Sequence, residues 1–220
     1  MRLGWRRSRT ELTESPEEPQ KVVPGPAISS YRSPGLHAVF EAVGSDRSCR
    51  VLDLGPAVAD NVAFISSFAE VQQIVDVFGE GFAGGSTEYS AVERGLETLR
   101  TLCRTRRRSF HLVFTWDLFD YLPETTSREV LKALSSLCRP AALLHTIFHS
   151  TDTMPDLPSR YRILGNDRLA YESVTSDRRG APNLPPASVE KLLGEFHIEH
   201  SFVLRHGVRE YVASLTGPEV

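Results

Sequence analysis

Apolar residues occur along the chain in two patterns, as short continuous runs and at spacings of three or four. A short run predicts a buried strand, and the wider spacing predicts one face of a helix. Strands are predicted at 50–54, 71–78, 110–115, 141–148, 196–204 and 209–215, and helices at 34–43, 60–69, 87–103, 126–139 and 186–193. This alternation predicts an α/β, Rossmann-like domain, with a mostly parallel twisted sheet and helices on both faces.

Local signals define several helix starts and one tight turn. Ser33 is a good N-cap before Pro34, Asp60 can cap the second helix, and 126–129 matches the capping box T-x-x-E. The last two strands are joined by a short turn at His206 and Gly207, so we expect a C-terminal antiparallel β-hairpin.

Three segments fall outside this pattern. Residues 1–30 combine arginines, glutamates and prolines with few apolar positions, which predicts a disordered tail before a single domain at 31–217. Residues 149–177 form a long polar connection that we expect to contain a short helix or a hairpin. The segment 79–109 gives one good helix and no convincing strand, so the strand expected there is weak or missing.

Composition restricts the class of protein and its partners. The chain has 220 residues, 40% of them apolar and 24% charged, and its net charge is -3. This charge makes a nucleic-acid partner a poor expectation, and no apolar stretch approaches the roughly 18 residues needed to span a membrane. Three cysteines without C-x-x-C spacing indicate buried thiols in a reducing compartment, so we expect a cytoplasmic protein.

Two strand ends carry residues suited to binding a ligand. The first strand ends at Gly55, where backbone can approach a ligand closely and the next helix offers N–H groups without acceptors. Asp76 lies at the end of the second strand, 23 residues after Asp53, where a carboxylate can accept hydrogen bonds from a diol. Ligands of open α/β sheets bind at the carboxyl ends of the strands, so we expect a binding site at this edge.

These residues resemble the class I S-adenosylmethionine-dependent methyltransferases. Residues 51–55 (V-L-D-L-G) stand where that family has D-x-G-x-G-x-G, and Asp76 stands where it has a ribose-binding carboxylate. Residues 110–117 resemble its fourth strand, and 139–144 resemble its K-P-G-G start of the fifth. Residues 154–164, with the closing hairpin, are similar to uncharacterised bacterial methyltransferase-like proteins.

The resemblance implies a transferase that binds S-adenosylmethionine, a small-molecule cofactor, and methylates a small-molecule or protein acceptor. In the family, the turn after the first strand holds the methionine and ribose part of the cofactor. The cofactor-binding residues implied by position are Asp53, Gly55, Pro56, Ala57, Asn61, Asp76, Trp116 and Asp117. Trp116 offers a stacking face, although a tryptophan at such a position is more often part of the core. The acceptor pocket is expected beside residues 116–121 and the 150–180 loop.

Departures from the family pattern keep a second hypothesis open. Ala57 and Ala59 replace the second and third glycines, and their methyl groups narrow the space above the turn. The alternative is therefore a non-catalytic, methyltransferase-like binding or scaffold module, with acceptor recognition by loops, the tail or a protein partner.

General bases and metal ligands are less clearly marked than the cofactor site. His37, His111, His149 and Asp117 are candidate general bases, but no pairing in the sequence favours one. His145 and His149 lie on a predicted strand, where a spacing of four does not form an easy metal site, so no metal is expected.

Overall fold

The computed structural model describes residues 28–44, 48–78 and 88–217. The strands are β1 (Ile28–Arg32), β2 (Arg50–Asp53), β3 (Val71–Ile74), β4 (Phe110–Trp116), β5 (Cys138–His149), β6 (Thr153–Pro155), β7 (Arg160–Gly165), β8 (Arg168–Glu172), β9 (Arg178–Gly180), β10 (Phe196–Val203) and β11 (Val208–Leu215). The helices are α1 (Pro34–Val43), α2 (Ala59–Ser66), α3 (Glu88–Thr105), α4 (Leu118–Tyr121), α5 (Glu124–Leu137) and α6 (Pro186–Leu193).

The main sheet has six strands in the order β10-β11-β5-β4-β2-β3. The strands β3, β2, β4 and β5 are parallel, whereas β11 runs antiparallel to β5 and to β10. The predicted fold class and the C-terminal hairpin are therefore confirmed. Between β3 and β4, the described residues form α3 and no further strand, while 79–87 lie outside the described residues.

Helices cover both faces of this sheet and divide the core in two. Buried residues of α3, α5 and α6 pack against one face, with Leu99, Leu134 and Val189 fully buried. The other face is covered by α1 and α2 through Leu36 and Ile65, and also by strands β7 and β8. The apolar spacing that predicted the helices is thus the spacing of their buried positions.

The polar connection after β5 forms two small antiparallel sheets. Strands β7 and β8 form the expected hairpin, β1 adds to β8 on its other side, and β6 pairs with β9. Because β1 starts at Ile28, folded structure begins three residues before the predicted boundary at 31. Its sequence, ISSYR, is short and mostly polar, so main-chain pairing with β8 defines this strand more than an apolar pattern does. The rest of the predicted tail, 1–27, lies outside the described residues.

Two predicted helix caps are wrong. Val58 is the N-cap of α2 and makes no side-chain capping bond, while Asp60 lies in the first turn. Helix α5 starts two residues before Thr126, and the Pro123 carbonyl accepts the N–H of Ser127, so no capping box forms. The predicted cap at Ser33 is confirmed, because its hydroxyl accepts the N–H of Leu36.

Candidate functional site

A groove of about 830 Å³ lies at the carboxyl ends of β2 and β3. This volume is within the range of small-molecule and cofactor sites. The near wall consists of the loop after β2, the start of α2 and the chain after β3, and the far wall comes from the segment around β7. The lining residues are Pro56, Ala57, Val58, Ala59, Asp60, Ile74, Asp76, Phe78, Leu157, Pro158, Ser159, Arg160, Arg162 and Val174.

The start of α2 offers backbone donors to the groove. The first intrahelical bond of this region joins the N–H of Val62 to the Val58 carbonyl, so the preceding N–H groups have no acceptor within the helix. The N-cap residue Val58 makes no side-chain hydrogen bond to these N–H groups. The methyl groups of Ala57 and Ala59 line the groove but do not close it. This end of α2 can therefore accept an anionic or carbonyl group of a ligand.

Asp76 is the carboxylate of the groove, on the chain just beyond β3. Its side chain is partly buried, and Oδ1 accepts the N–H of Phe78 at 3.2 Å. The ring of Phe78 also lines the groove, and its edge packs against Tyr121. A carboxylate next to an apolar ring suits a ligand that joins a diol to a flat heterocycle.

Asp53 lies behind the groove and organises the turn. Its Oδ1 accepts the N–H of Gly55 at 3.0 Å and the indole N–H of Trp116 at 2.7 Å. Burial raises the pKa of Asp53 from 3.8 to about 6; the two hydrogen bonds oppose this shift, and the neighbouring Asp76 carboxylate adds to it. Asp53 thus holds the turn from inside rather than contacting the groove.

Trp116 fills the space over Gly55. A Cβ on Gly55 would lie 2.7 Å from Cδ1 and from Nε1 of the indole. The indole is stacked between Phe114 and Tyr161, at centroid distances of 5.0 and 5.4 Å. Because Trp116 is buried, already stacks on two rings and does not line the groove, it is a core residue here.

Asn61 holds the far wall against α2. Its Nδ2 donates to the Tyr161 carbonyl at 3.0 Å, and its Oδ1 accepts the N–H of Ile163 at 2.8 Å. The side chain is buried and lies outside the groove lining. Of the eight residues expected at a cofactor site, Pro56, Ala57 and Asp76 line the groove, and the other five support its walls.

A second polar cluster lies at the ends of β4 and β5. Asp117 is buried, and its Oδ2 accepts the N–H of Ser159 at 3.2 Å and the hydroxyl of Tyr161 at 3.3 Å. Burial raises the pKa of Asp117 from 3.8 to about 7; His149 opposes this shift and Asp120 adds to it. Asp120 Oδ2 accepts the backbone N–H of His149 at 2.6 Å and lies 2.8 Å from His149 Nδ1.

His149 lines a second cavity, of about 100 Å³. The other lining residues are Tyr31, Thr151, Pro155, Ser159, Tyr161, Tyr171, Arg178, His206, Gly207 and Val208. Ser159 lines both this cavity and the groove, so the two spaces share a wall. Six of the lining residues belong to the 150–180 loop, and none belongs to 116–121.

The other candidate bases lie elsewhere. His37 is half-exposed on α1, 3.5 Å from Glu41, and His111 Nδ1 accepts the N–H of Arg50 near the amino end of β4. The pairing of His149 with Asp120 was missed because the two residues are 29 positions apart. The available signal was that both residues lie at the carboxyl ends of the neighbouring parallel strands β4 and β5.

The described part of the chain shows neither a membrane-crossing helix nor a metal cluster. Within it, no helix is both long and apolar enough to cross a bilayer. The same residues contain no group of three or more His, Cys, Asp and Glu side chains placed to hold a metal ion. The three cysteines are free thiols; Cys49 and Cys138 are buried, whereas Cys103 is only partly buried, unlike the prediction.

Solved structures with a similar architecture include S-adenosylmethionine-dependent methyltransferases. One, from Clostridium acetobutylicum, is 13% identical, with a TM-score of 0.51 over 83% of this chain and 91% of that one. The 1,6-didemethyltoxoflavin-N1-methyltransferase of Burkholderia thailandensis, solved with bound S-adenosylhomocysteine, is 17% identical, with a TM-score of 0.49 over 84% and 77%. No protein-family model and no curated protein matches the chain.

The strand order and the first of these similarities define the fold. The chain has the Rossmann-like fold of class I S-adenosylmethionine-dependent methyltransferases, as its motifs implied. Activity is a separate question, because function depends on the site and not on the fold.

Proposed function

We propose that the protein is an S-adenosylmethionine-dependent methyltransferase that binds its cofactor in the groove at the ends of β2 and β3. The observation that carries this proposal is the combination of Asp76 with the uncapped start of α2 on one groove of about 830 Å³. The carboxylate and the backbone donors each suit a different part of this cofactor, and the groove volume suits the cofactor as a whole.

Different residues of the groove suit different parts of the cofactor. The Asp76 carboxylate accepts hydrogen bonds from the ribose hydroxyls, and Ile74 and Phe78 provide apolar contact for the adenine. The N–H groups at the start of α2 and the guanidinium of Arg160, which also lines the groove, suit the methionine carboxylate. Ala57 restricts the space between these ends without closing the groove.

The bound cofactor supplies an electrophilic methyl group on a sulfonium sulfur. Transfer of this group by in-line displacement depends mainly on how two reactants are positioned. Asp53 and Asn61 contribute by fixing the turn and the far wall of the groove. We place the reaction in the cytoplasm, in keeping with three unpaired cysteines.

A non-catalytic binding module is the competing proposal, favoured by Ala57 and Ala59 on the groove wall. The two proposals differ in ligand binding. An enzyme must bind S-adenosylmethionine, and a module that has lost this function shows no binding at millimolar concentrations.

Calorimetric titration with S-adenosylmethionine and S-adenosylhomocysteine tests the proposal. We expect both to bind, and we expect Asp76→Ala to weaken binding by about 1–3 kcal/mol through loss of charged hydrogen bonds, which is roughly 5- to 150-fold in Kd. The control Asp152→Ala, at an exposed carboxylate outside the groove, should bind as the wild type does. Absence of binding would refute the enzyme proposal, and an unchanged Kd in Asp76→Ala would remove Asp76 from the site.

A further inference from the structure

The cavity beside the groove combines an oriented histidine with aromatic walls. We propose that it receives the reactive edge of a small neutral phenol, and that His149 Nε2 accepts the proton of the hydroxyl that is methylated. This inference rests on the proposed function, because the methyl group comes from the cofactor in the groove. It adds an acceptor class and a base, neither of which the fold determines.

The hydrogen bonds of His149 fix its tautomer. Asp120 is fully buried and can only accept at Oδ2, which lies 2.8 Å from Nδ1, so Nδ1 carries the proton. In the neutral imidazole, Nε2 is then the nitrogen that carries the lone pair, and it has no hydrogen-bond partner among the described residues. A histidine held this way by a carboxylate is arranged as a general base. Asp120 acts through His149 and is therefore a positioning residue.

The walls of the cavity select the acceptor. The rings of Tyr31 and His206 are 4.2 Å apart, and Tyr171 lies 6.1–6.3 Å from Tyr31, Tyr161 and His206. Such walls favour a flat unsaturated molecule. Arg178 belongs to the described lining and no Asp or Glu does, so an ammonium group would meet a like charge there. The selected acceptor is therefore aromatic and not cationic.

The volume sets a size limit. A cavity of about 150 Å³ is known to hold benzene, and this one measures about 100 Å³. It therefore admits only the reactive edge of one ring. Any larger substituent of the acceptor has to extend out through the open side of the cavity.

Ser159 places this cavity next to the methyl donor. Its backbone N–H is fixed by the buried Asp117 carboxylate at 3.2 Å, and the residue borders both spaces. In the reaction, the phenolic oxygen forms a bond to the methyl carbon, and the bond from that carbon to the sulfonium sulfur breaks with its electron pair going to sulfur. The phenolic proton passes to Nε2 of His149, giving an imidazolium paired with the Asp120 carboxylate.

The test measures methyl transfer from S-adenosylmethionine to a panel of one-ring phenols, with one-ring benzylamines as the comparison set. We expect the wild type to methylate a phenol at oxygen. We expect His149→Ala to lower kcat by about 10²–10⁴-fold, while KM and the Kd for S-adenosylhomocysteine change less than twofold. Added imidazole should restore part of the rate, which a purely structural role of His149 would not allow.

Three further variants make the result specific. The side chain of His149→Gln can still donate to Asp120 but cannot take a proton, so this variant should be as slow as His149→Ala. It also keeps the test valid if His149→Ala does not fold. Asp120→Asn should lower kcat less than loss of the base does. His197→Ala, at an exposed histidine of β10, should leave the rate unchanged.

The outcomes separate this inference from the proposed function. Failure to bind S-adenosylhomocysteine refutes the proposed function itself. One contrary result is that the protein binds S-adenosylhomocysteine and yet methylates only benzylamines, and another is that it binds S-adenosylhomocysteine and methylates no compound in the panel. Either result overturns the assignment of a phenol as acceptor. Methylation of phenols at the wild-type rate by His149→Ala and His149→Gln overturns the assignment of the base.

Discussion

Gly55 is the residue at which the turn after β2 meets the core. Its N–H is held by Asp53, and the indole of Trp116 occupies the space that any side chain would need. A glycine at this position therefore serves internal packing. The same turn continues into the groove wall at Pro56, so packing at Gly55 also positions that wall.

Replacement of Gly55 by alanine should destabilise the fold. The new methyl group would lie 2.7 Å from two indole atoms, so Trp116 must shift and its bond to Asp53 weakens. We expect a loss of about 1–3 kcal/mol in the free energy of unfolding, measured by urea denaturation. Gly165→Ala is the matched control, because a Cβ there meets nothing within 4 Å. Equal stability of the two variants would contradict this account.

Single residues of the site differ in how far sequence could predict them. The positions of Asp76 and Ala57 on the groove wall were predictable, because both come after apolar strands whose carboxyl ends meet at one edge of a parallel sheet. Trp116 was not, since its orientation depends on Phe114 and on Tyr161, 45 residues later. His149 needed its partner Asp120, and such a contact depends on how neighbouring strands align.

At the scale of elements, the contact of α2 with β7 decides the shape of the groove. Strand β7 belongs to the small sheet with β8 and β1, and it supplies Arg160 and Arg162 to the far wall. Asn61 binds β7 through both atoms of its amide. The ion pair of Arg162 with Asp60, at 3.8 Å and partly exposed, adds little to this contact.

Asn61→Ala should loosen the far wall. The substitution leaves the buried Tyr161 carbonyl and Ile163 N–H without their partner, so we expect a loss of about 1–3 kcal/mol in the free energy of unfolding. Affinity for S-adenosylhomocysteine should fall with it. Ser66→Ala, at an exposed position of the same helix, is the control for both measurements. A variant that lost neither stability nor affinity would show that α2 and β7 are held by other contacts.

The elements of the main sheet were largely predictable, and those of the small sheets were not. Strand β5 and helix α6 have strong apolar patterns, so their existence and type are confirmed. Strand β1 is mostly polar and is formed by pairing with β8, about 140 residues away, which no local pattern encodes. The short strands β6 and β9 likewise form by pairing with each other, which no local pattern encodes.

For the molecule as a whole, buried carboxylates make stability depend on pH. The pKa of Asp117 is raised from 3.8 to about 7, and that of Asp53 to about 6, in each case mainly by burial. Between about pH 4 and 7 the folded protein keeps protons that the unfolded chain has lost. The free energy of unfolding therefore falls as the pH rises through this range.

Asp117→Asn should remove part of this dependence. An amide keeps an oxygen for the Ser159 N–H and the Tyr161 hydroxyl but has no charge to desolvate. We expect the variant to be more stable than the wild type at pH 8, by roughly 2–4 kcal/mol, and of similar stability at pH 4. Denaturant unfolding at both pH values measures this, with the exposed Asp152→Asn as the control. A variant with no stability gain at pH 8 relative to pH 4 would rule out this role for Asp117.

The stack of Phe114, Trp116 and Tyr161 gives the protein an internal optical probe. The chain has two tryptophans, Trp5 and Trp116, so a Trp5→Phe variant emits from one indole only. That indole joins the main sheet to β7 and shares Asp53 with the turn beside the groove. Its emission therefore reports how the two sheets sit against each other, without any label added to the protein.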